Sequence, residues 1–292
     1  MRLIKNIFTL IIFIMSFFSC IQNSVSPKQR LQGVQNWVCC YNSYVPSEEI
    51  VRYDLAVLDP DAEIDIPLLK ASSTKVVGYV SLVEVQPSRW YWDKVVGTDA
   101  VLPEKTVYGG FYADVRSQSW QQTVVDTVIP NILHKGFDGI FLDTIDSAEY
   151  LQSLKDGEGY EGMQEATVAL IEAIRRAFPN IVIIANRGFA MLPDYEPFVD
   201  GLLAESVLTE YNPKTEKAAL RDPAQYAHYL QLMTNFHRKG GLVLTLDYAI
   251  NSSFLVQKNV LKLSMKYDFI PYLSDPSLNN IYHIALENSY GD

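Results

Sequence analysis

Residues 134 to 147 read HKGFDGIFLDTIDS, and this stretch of the chain changes character twice. A basic pair followed by Gly136 is the pattern of a helix end with a left-handed glycine cap. Residues 139–142 are then apolar, which is typical of a buried strand. The run ends at Asp143, with Asp146 close behind. The stretch therefore predicts a buried strand that leaves the core through a carboxylate.

The same local unit occurs three more times along the chain. Each copy has a helical segment ending in basic residues, a break, an apolar run and a polar exit. The exits include Asn186 and Asp247, and the copies are RRAFPNIVIIANRG (175–188), HRKGGLVLTLDY (237–248) and MKYDFIPYLSD (265–275). Strands that are apolar throughout and separated by helices indicate a parallel sheet covered on both faces.

The apolar runs predict eight strands: 37–41, 55–58, 76–80, 139–143, 181–185, 201–205, 242–247 and 269–272. Eight strand–helix units in a chain of this length fit one α/β domain, a (β/α)8 TIM barrel, which usually has about 250 residues. A doubly wound sheet is the alternative, but no G-x-G-x-x-G or Walker sequence favours it. Residues 111–114 are a ninth strand candidate, which we place in a long loop after the third strand.

The segments between the strands carry helix signals. Residues 163–178 place their apolar side chains on one face, as an amphipathic helix does. Residues 224–239 follow Asp222 and Pro223, which is a favourable helix start. Pro130 interrupts an apolar stripe that begins at Trp120, so we expect the helix to kink or restart there.

The first residues of the chain form a separate segment. A basic start, a short apolar core and Ser19 before Cys20 predict a lipoprotein-type signal peptide over residues 1–19. Cys20 is then the lipidated mature N-terminus, residues 20–32 form a tether and residues 33–292 form the barrel domain. We expect a cell-envelope lipoprotein that meets the membrane only through its lipid, or a secreted protein if Cys20 is not lipidated.

Composition excludes several classes of function. The formal net charge is −10, which argues against a nucleic-acid partner and is compatible with a cationic substrate or simply with solubility. Cys39 and Cys40 are adjacent, so we expect free thiols. The histidines are scattered, and no H-E-x-x-H or G-x-S-x-G sequence is present, so we expect no metal, no cofactor and no serine nucleophile.

The polar strand exits form the candidate site, because active sites of these barrels lie at the C-terminal ends of the strands. Asp143 ends the fourth strand and Glu205 the sixth, and a carboxylate pair is what glycoside hydrolysis uses. We predict substrate contacts at Asp59, Tyr79, Ser81, Glu84, Asn186, Asp247 and Tyr272. The alternative roles are a helix cap for Asp143, a turn for Asp59 and for Asn186, and packing for Tyr79.

An ordered series of short motifs extends over the chain from the second strand to the eighth. They are DLAVLD (54–59), GYVSLVE (78–84), YADVR (112–116), GFDGIFLD (136–143), AES (204–206), LDY (246–248) and IPY (270–272). Together they resemble the endo-α-1,4-polygalactosaminidase family of glycoside hydrolases, family 114. One departure is Val83, which stands where that family usually has a glycine.

The resemblance implies a barrel that hydrolyses α-1,4-linked galactosamine polymers. Its catalytic aspartate and glutamate correspond to Asp143 and Glu205, and it adds Asp114 to the expected substrate contacts. Our hypothesis makes Asp143 the nucleophile and Glu205 the general acid/base. Two alternatives stay open, namely a polysaccharide-binding lipoprotein without catalysis and a hydrolase of another glycan.

Overall fold

The computed structural model of the protein describes residues 29–154 and 158–283. The predicted signal peptide, Cys20 and most of the predicted tether lie outside the described residues. Within the part of the chain that is described, no helix is long and apolar enough to cross a membrane.

Eight parallel strands form one sheet in the order of the chain. They are β1 (Trp37–Cys40), β2 (Leu55–Leu58), β3 (Lys75–Ser81), β4 (Gly139–Asp143), β5 (Val182–Asn186), β6 (Gly201–Glu205), β7 (Leu242–Asp247) and β8 (Ile270–Leu273). All eight predicted strands are confirmed, with ends that differ by one residue at several positions. Their side chains are buried along most of their length, as expected for strands with helices outside and a packed interior.

The sheet curls until β1 approaches β8, so the barrel is nearly closed. The Trp37 indole nitrogen donates to the carbonyl of Ile270 at 2.9 Å, and its ring lies 5.5 Å from that of Tyr272. Beyond β1, the amide of Tyr41 donates to the carbonyl of Leu278 at 2.7 Å. Large aromatic side chains therefore fill the seam between the first and last strands.

Helices cover the outside of the barrel. Their bounds are Ser47–Ile50, Ile66–Ala71, Trp92–Val95, Gln118–Thr123, Ile129–His134, Asp146–Ser153, Met163–Ala177, Leu192–Tyr195, Pro223–Arg238 and Phe254–Met265, with a 3-10 turn at Glu196–Phe198. Asp222 caps Pro223–Arg238 in a capping box with Gln225. The expected restart at Pro130 is confirmed, because a π-helical turn, Val124–Val128, precedes the helix with Pro130 in its first turn.

Two small sheets extend from the C-terminal ends of the barrel strands. Between β3 and β4, Glu84–Val85, Val101–Lys105 and Phe111–Ala113 form an antiparallel sheet. The ninth strand candidate is thus a strand of this insertion, in the long loop where it was expected. After β6, Thr209–Asn212 pairs with Lys217–Leu220 as a hairpin. Both insertions lie beside the ends of strands that carry candidate site residues.

A buried ion-pair cluster holds the opposite end of the barrel. Asp200, whose side chain is fully buried, accepts from Arg30 at 3.0 Å and from Arg175 at 2.6 Å. Its carboxylate also accepts from the amide of Ile183, at the start of β5. Arg175 further donates to the carbonyls of Ile181 and Phe198. The cluster ties the first described residues of the chain to the start of β6, on the face away from the candidate site.

Candidate active site

The last residues of three neighbouring strands meet at one point. Asn186, at the end of β5, donates from its amide nitrogen to Asp143 Oδ1 and to Glu205 Oε2, both at 2.8 Å. Asp143 ends β4 on one side, and Glu205 ends β6 on the other. The barrel therefore brings together both predicted carboxylates and a third predicted residue, Asn186, which lies between them.

The residue after each of these three side chains has a left-handed backbone. The φ angles are 61° at Thr144, 58° at Arg187 and 51° at Ser206. Non-glycine residues rarely adopt this conformation, and such strain concentrates at functional sites. Thr144 is also held by its side chain, since its Oγ1 accepts from the amide of Val83 and hydrogen-bonds Ser81 Oγ, both at 3.0 Å. These turns lead the chain away while the strand-end side chains stay in the cleft.

Val83, the departure from the family pattern, is accommodated inside this support. Its side chain is fully buried, and its carbonyl accepts from the amide of Ala113 at 2.8 Å. The position therefore needs no glycine here, and its backbone links the turn at Thr144 to the inserted sheet.

The electrostatics of the pair follow from its burial. Desolvation raises the pKa of Asp143 to about 6, and the negative charge of Glu205 also raises it. Hydrogen bonds from Asn186, from the Thr144 backbone and from Tyr79 act in the opposite direction, because they favour the ionised carboxylate. At neutral pH the Asp143 carboxyl is therefore mostly ionised, the state in which a carboxylate can act as a nucleophile.

Glu205 has a second donor on its other oxygen. The Tyr248 hydroxyl donates to Glu205 Oε1 at 2.6 Å, so each carboxylate oxygen of Glu205 accepts one hydrogen bond. Burial and the charge of Glu205 raise the pKa of Tyr248 well above its ordinary value, which keeps its proton in place as a donor. Arg187 donates to the backbone carbonyl of Glu205 at 2.9 Å. Glu205 is thus held through its backbone carbonyl as well as through both carboxylate oxygens.

Arg89 packs against the aromatic ring of Tyr79. The Arg89 guanidinium lies 5.4 Å from the centroid of the Tyr79 ring and 2.9 Å from Asp59 Oδ1. Tyr79 in turn packs against Tyr41, with ring centroids 5.0 Å apart. Asp59, predicted as a substrate contact, is therefore engaged in an ion pair that holds Arg89 against Tyr79.

The sequence model of the glycoside hydrolase family GH114 matches residues 20–289 of the chain. The chain belongs to this family. An uncharacterized protein of Thermotoga maritima is 24% identical over 269 residues, covering 86% of this chain and 82% of that protein.

Two solved structures resemble the fold. The glycoside hydrolase domain of PelA from Pseudomonas aeruginosa has a TM-score of 0.72 at 19% identity, over 85% of this chain and 98% of that one. Aspergillus fumigatus Ega3, in complex with galactosamine, has a TM-score of 0.67 at 15% identity, over 84% and 93%. At these identities the likeness shows the fold alone. The resemblance read from the motifs and the (β/α)8 barrel are both confirmed.

Some predicted contacts of this GH114 protein lie beside the carboxylate pair and others do not. Glu84, which is 8% exposed, accepts from Ser147 Oγ at 2.8 Å, next to the helix that follows β4. Asp114 forms a two-pronged ion pair with Arg116. Tyr272 is buried in the seam of the barrel, where its hydroxyl accepts from the amide of Tyr282 at 3.0 Å.

The contacts of the acidic side chains at the strand ends distinguish between their alternative roles. The helix after β4 begins at Asp146, and no side chain caps it, so Asp143 is not a helix cap. Asp146 instead pairs with Arg187 at 2.9 Å. Asp247 is completely buried, and its Oδ1 accepts from Thr209 Oγ1 at 2.7 Å. Among the described residues, no three His, Cys, Asp or Glu side chains are grouped to hold a metal ion.

Sequence reasoning missed Tyr248 and Arg89. Tyr248 stands in the LDY motif directly after Asp247, and that motif was the available signal. Its hydroxyl reaches Glu205 because the chain turns after β7. Arg89 lies in an irregular loop with no periodic pattern, so nothing in the sequence connects it with Tyr79.

Replacing Asn186 with alanine should raise the pKa of Asp143 above its parent value of about 6. The reason is that the amide donor favours the ionised carboxylate and would be lost. Titration of aspartate carboxyl carbons by NMR measures this directly and needs no substrate. Asn235→Ala, at an exposed position on an outer helix, is the control. An unchanged or lower pKa in Asn186→Ala would contradict the role of the bridge.

Asp247 makes a separate prediction about stability and pH. Burial raises its pKa to about 6, above the unfolded value, so the folded state binds more protons and loses stability as pH rises from about 4 to 6. Asp247→Asn lacks this loss. The free energy of unfolding of Asp247→Asn, taken relative to that of the parent protein, should therefore increase by about 1 to 2 kcal/mol as the pH is raised from 5 to 8.

Urea unfolding of both proteins at the two pH values tests this prediction. Asp194→Asn, at an exposed position, controls for the loss of one carboxylate. If the difference between Asp247→Asn and the parent stays constant with pH, the buried carboxylate does not have the predicted titration.

Proposed function

We propose that this GH114 protein is an endo-acting hydrolase of α-1,4-linked galactosamine polymers, with Asp143 as nucleophile and Glu205 as general acid/base. Family membership supports glycoside hydrolysis. The finer assignment of substrate and of residue roles is our inference from the site and from the motifs.

The proposal rests on one observation, which is that the amide nitrogen of Asn186 donates hydrogen bonds to both Asp143 and Glu205. The two N–H bonds of a planar amide diverge by about 120°, so oxygens bound at 2.8 Å lie about 5 Å apart. Carboxyl groups about 5 to 5.5 Å apart characterise retaining glycosidases, whereas inverting enzymes need about 6.5 to 9.5 Å to admit a water. The separation therefore favours a double displacement.

The proposed reaction has two steps. In the first, an oxygen of ionised Asp143 attacks the anomeric carbon while Glu205 gives its proton to the departing glycosidic oxygen. The first product leaves with that proton, and the remaining sugar is an ester of Asp143. In the second, Glu205 takes a proton from water, the water oxygen attacks the anomeric carbon, and the bond to Asp143 breaks. Both carboxyl groups then return to their initial state.

The charge around the cleft supports an amino-sugar substrate. Besides the pair itself, the charge of Asp146 acts on Glu84 and on Glu149. One cation, Arg187, pairs with Asp146, and its charge also acts on Glu149, while Glu84 accepts from a hydroxyl; the three carboxylates are therefore compensated only in part. A site of this sign attracts a cationic polymer and repels an acidic one. The complex of Ega3 with galactosamine is consistent with this substrate class.

Cleavage of defined oligomers tests the proposal. The purified barrel domain should convert α-1,4-linked galactosamine oligomers to shorter ones, read by mass spectrometry. Asp143→Asn and Glu205→Gln should each lower turnover by about a thousandfold or more, because each removes a group that makes or breaks a bond. Glu165→Gln, at an exposed position of an outer helix, is the matched control and should cleave normally.

An aryl glycoside of the same sugar, with a good leaving group, separates the two roles. Such a group departs without protonation, so the first step in Glu205→Gln should be largely restored and that in Asp143→Asn should not. The reverse pattern would exchange the roles. Binding without cleavage by the parent protein would favour a polysaccharide-binding protein, and neither binding nor cleavage would reject the substrate.

A further inference from the structure

The two oxygens of the Glu205 carboxylate have hydrogen-bond donors of different kinds. Oε2 accepts from the amide nitrogen of Asn186 at 2.8 Å, and Oε1 accepts from the hydroxyl of Tyr248 at 2.6 Å. An amide nitrogen can only donate, whereas a phenolic hydroxyl can donate or accept. The difference matters because a general acid must also exist in its protonated form, in which one of its oxygens is itself a donor.

The contacts of Asn186 disfavour a proton on Oε2 of Glu205. The amide nitrogen has two hydrogens, and these are directed to Glu205 Oε2 and to Asp143 Oδ1, both at 2.8 Å. A protonated carboxyl oxygen is a weaker acceptor than an ionised one, so a proton on Oε2 would weaken this bond. Turning the amide away would also remove a donor from Asp143. The proton of Glu205 is therefore more stable on Oε1.

Tyr248 can accommodate a proton on Oε1. Its hydroxyl rotates about the C–O bond, so it donates to the ionised carboxylate and accepts from the protonated one. The 2.6 Å separation between the hydroxyl and Oε1 lies in the range of charge-assisted hydrogen bonds from a hydroxyl to a carboxylate. The bond is thus strongest when Glu205 is ionised, which is the state that a general acid reaches as it gives up its proton.

The hairpin after β6 fixes the ring of Tyr248. The ring of Tyr211, on the first strand of that hairpin, lies edge-on to the ring of Tyr248 with centroids 6.3 Å apart. Two residues earlier on the same strand, Thr209 donates to the buried carboxylate of Asp247 at 2.7 Å, directly before Tyr248. The Arg221 side chain donates to the carbonyl of Thr209 at 2.9 Å. The ring is therefore held by contacts that do not involve Glu205.

We propose that Tyr248 is a positioning residue that keeps the transferable proton of Glu205 on Oε1 and donates to that oxygen as the proton leaves. The inference rests on the proposed function, in which Glu205 is the general acid/base. In the first step the proton passes from Oε1 to the glycosidic oxygen, and the Tyr248 hydroxyl turns to donate to the developing negative charge. In the second step the proton taken from water returns to Oε1, and the hydroxyl turns back. A hydrogen bond that forms during the step stabilises the transition state more than the ground state.

Other titratable groups contact Glu205 or are affected by its charge. They are Asp143 from β4, Cys39 from β1, Tyr108 from the turn of the inserted sheet and Arg187 after β5. Replacing Tyr248 with phenylalanine leaves all of them in place, because it removes one oxygen and keeps the ring. A change of pH dependence in that variant therefore reports the Tyr248 hydroxyl.

Kinetics of Tyr248→Phe on two substrates test the proposal. On galactosamine oligomers kcat/KM should fall about tenfold, because the charge that develops on Glu205 loses a donor. On an aryl glycoside of the same sugar with a good leaving group, kcat/KM should stay within about twofold of the parent value, since that group departs without protonation. Retained turnover of the aryl glycoside also shows that the variant is folded. Tyr229→Phe, on an outer helix and 37% exposed, is the control for loss of a tyrosine hydroxyl.

The pH dependence of kcat/KM on oligomers is a readout that a merely structural role would not change. Its falling alkaline limb should move to higher pH by about half a unit to one unit in Tyr248→Phe, because the ionised form of Glu205 loses one of its two donors. Titration of the amino groups of the substrate is common to parent and variant, so it cancels in the comparison.

The outcomes separate this proposal from the proposed function. An unchanged kcat/KM on oligomers, equal losses on both substrates, or an alkaline limb that does not move to higher pH would each overturn the role of Tyr248 and leave the hydrolase standing. Absence of oligomer cleavage by the parent would overturn the proposed function, and this inference with it.

Discussion

The hydrogen bonds from the Asn186 amide to two carboxylates are the constraint on which the site depends. Two acids about 5 Å apart in a partly buried cleft repel each other, and the amide offsets part of that repulsion by donating to both. The arrangement requires three strand ends at fixed relative heights. Asn186 pairs with Leu203 in the sheet, and Glu205, two residues further on, points to the same side of β6 as Leu203. The stagger of the barrel thus sets the geometry of the pair.

Stability and chemistry are assigned to opposite ends of the barrel. At the N-terminal end, Asp200 is buried with two arginines and a backbone amide, so its charge is compensated on both oxygens. At the C-terminal end, the polar groups compensate one another only in part. The side-chain oxygen of Asn186, Oδ1, has no hydrogen-bond partner among the described residues. This division is the one that barrel enzymes generally show.

The sequence predicted the fold and the central pair well, because both depend on local patterns. Apolar runs that follow helix ends locate the strands, and a polar residue at a strand end must lie at the open face of a barrel. Asn186 was predicted as a site residue for this reason, but its bridging contact depends on strand stagger, which no local pattern encodes. Tyr248 and Arg89 were not found, since Tyr248 follows the end of its strand and Arg89 lies in an irregular loop with no periodic pattern. Asp114 was selected from a family motif and Tyr272 as an aromatic residue at a strand end, and the structure shows Asp114 paired with Arg116 and Tyr272 in the seam of the barrel.

The stereochemistry of the first product tests the central claim most directly. Proton NMR of the anomeric region during the first minutes of cleavage of an α-linked galactosamine oligomer distinguishes the two anomers before they equilibrate. A pair held about 5 Å apart by Asn186 predicts that the α-anomer forms first, by a double displacement at Asp143 and Glu205. Initial formation of the β-anomer would show that a water enters between the carboxylates, and would contradict the geometry on which this account of the site rests.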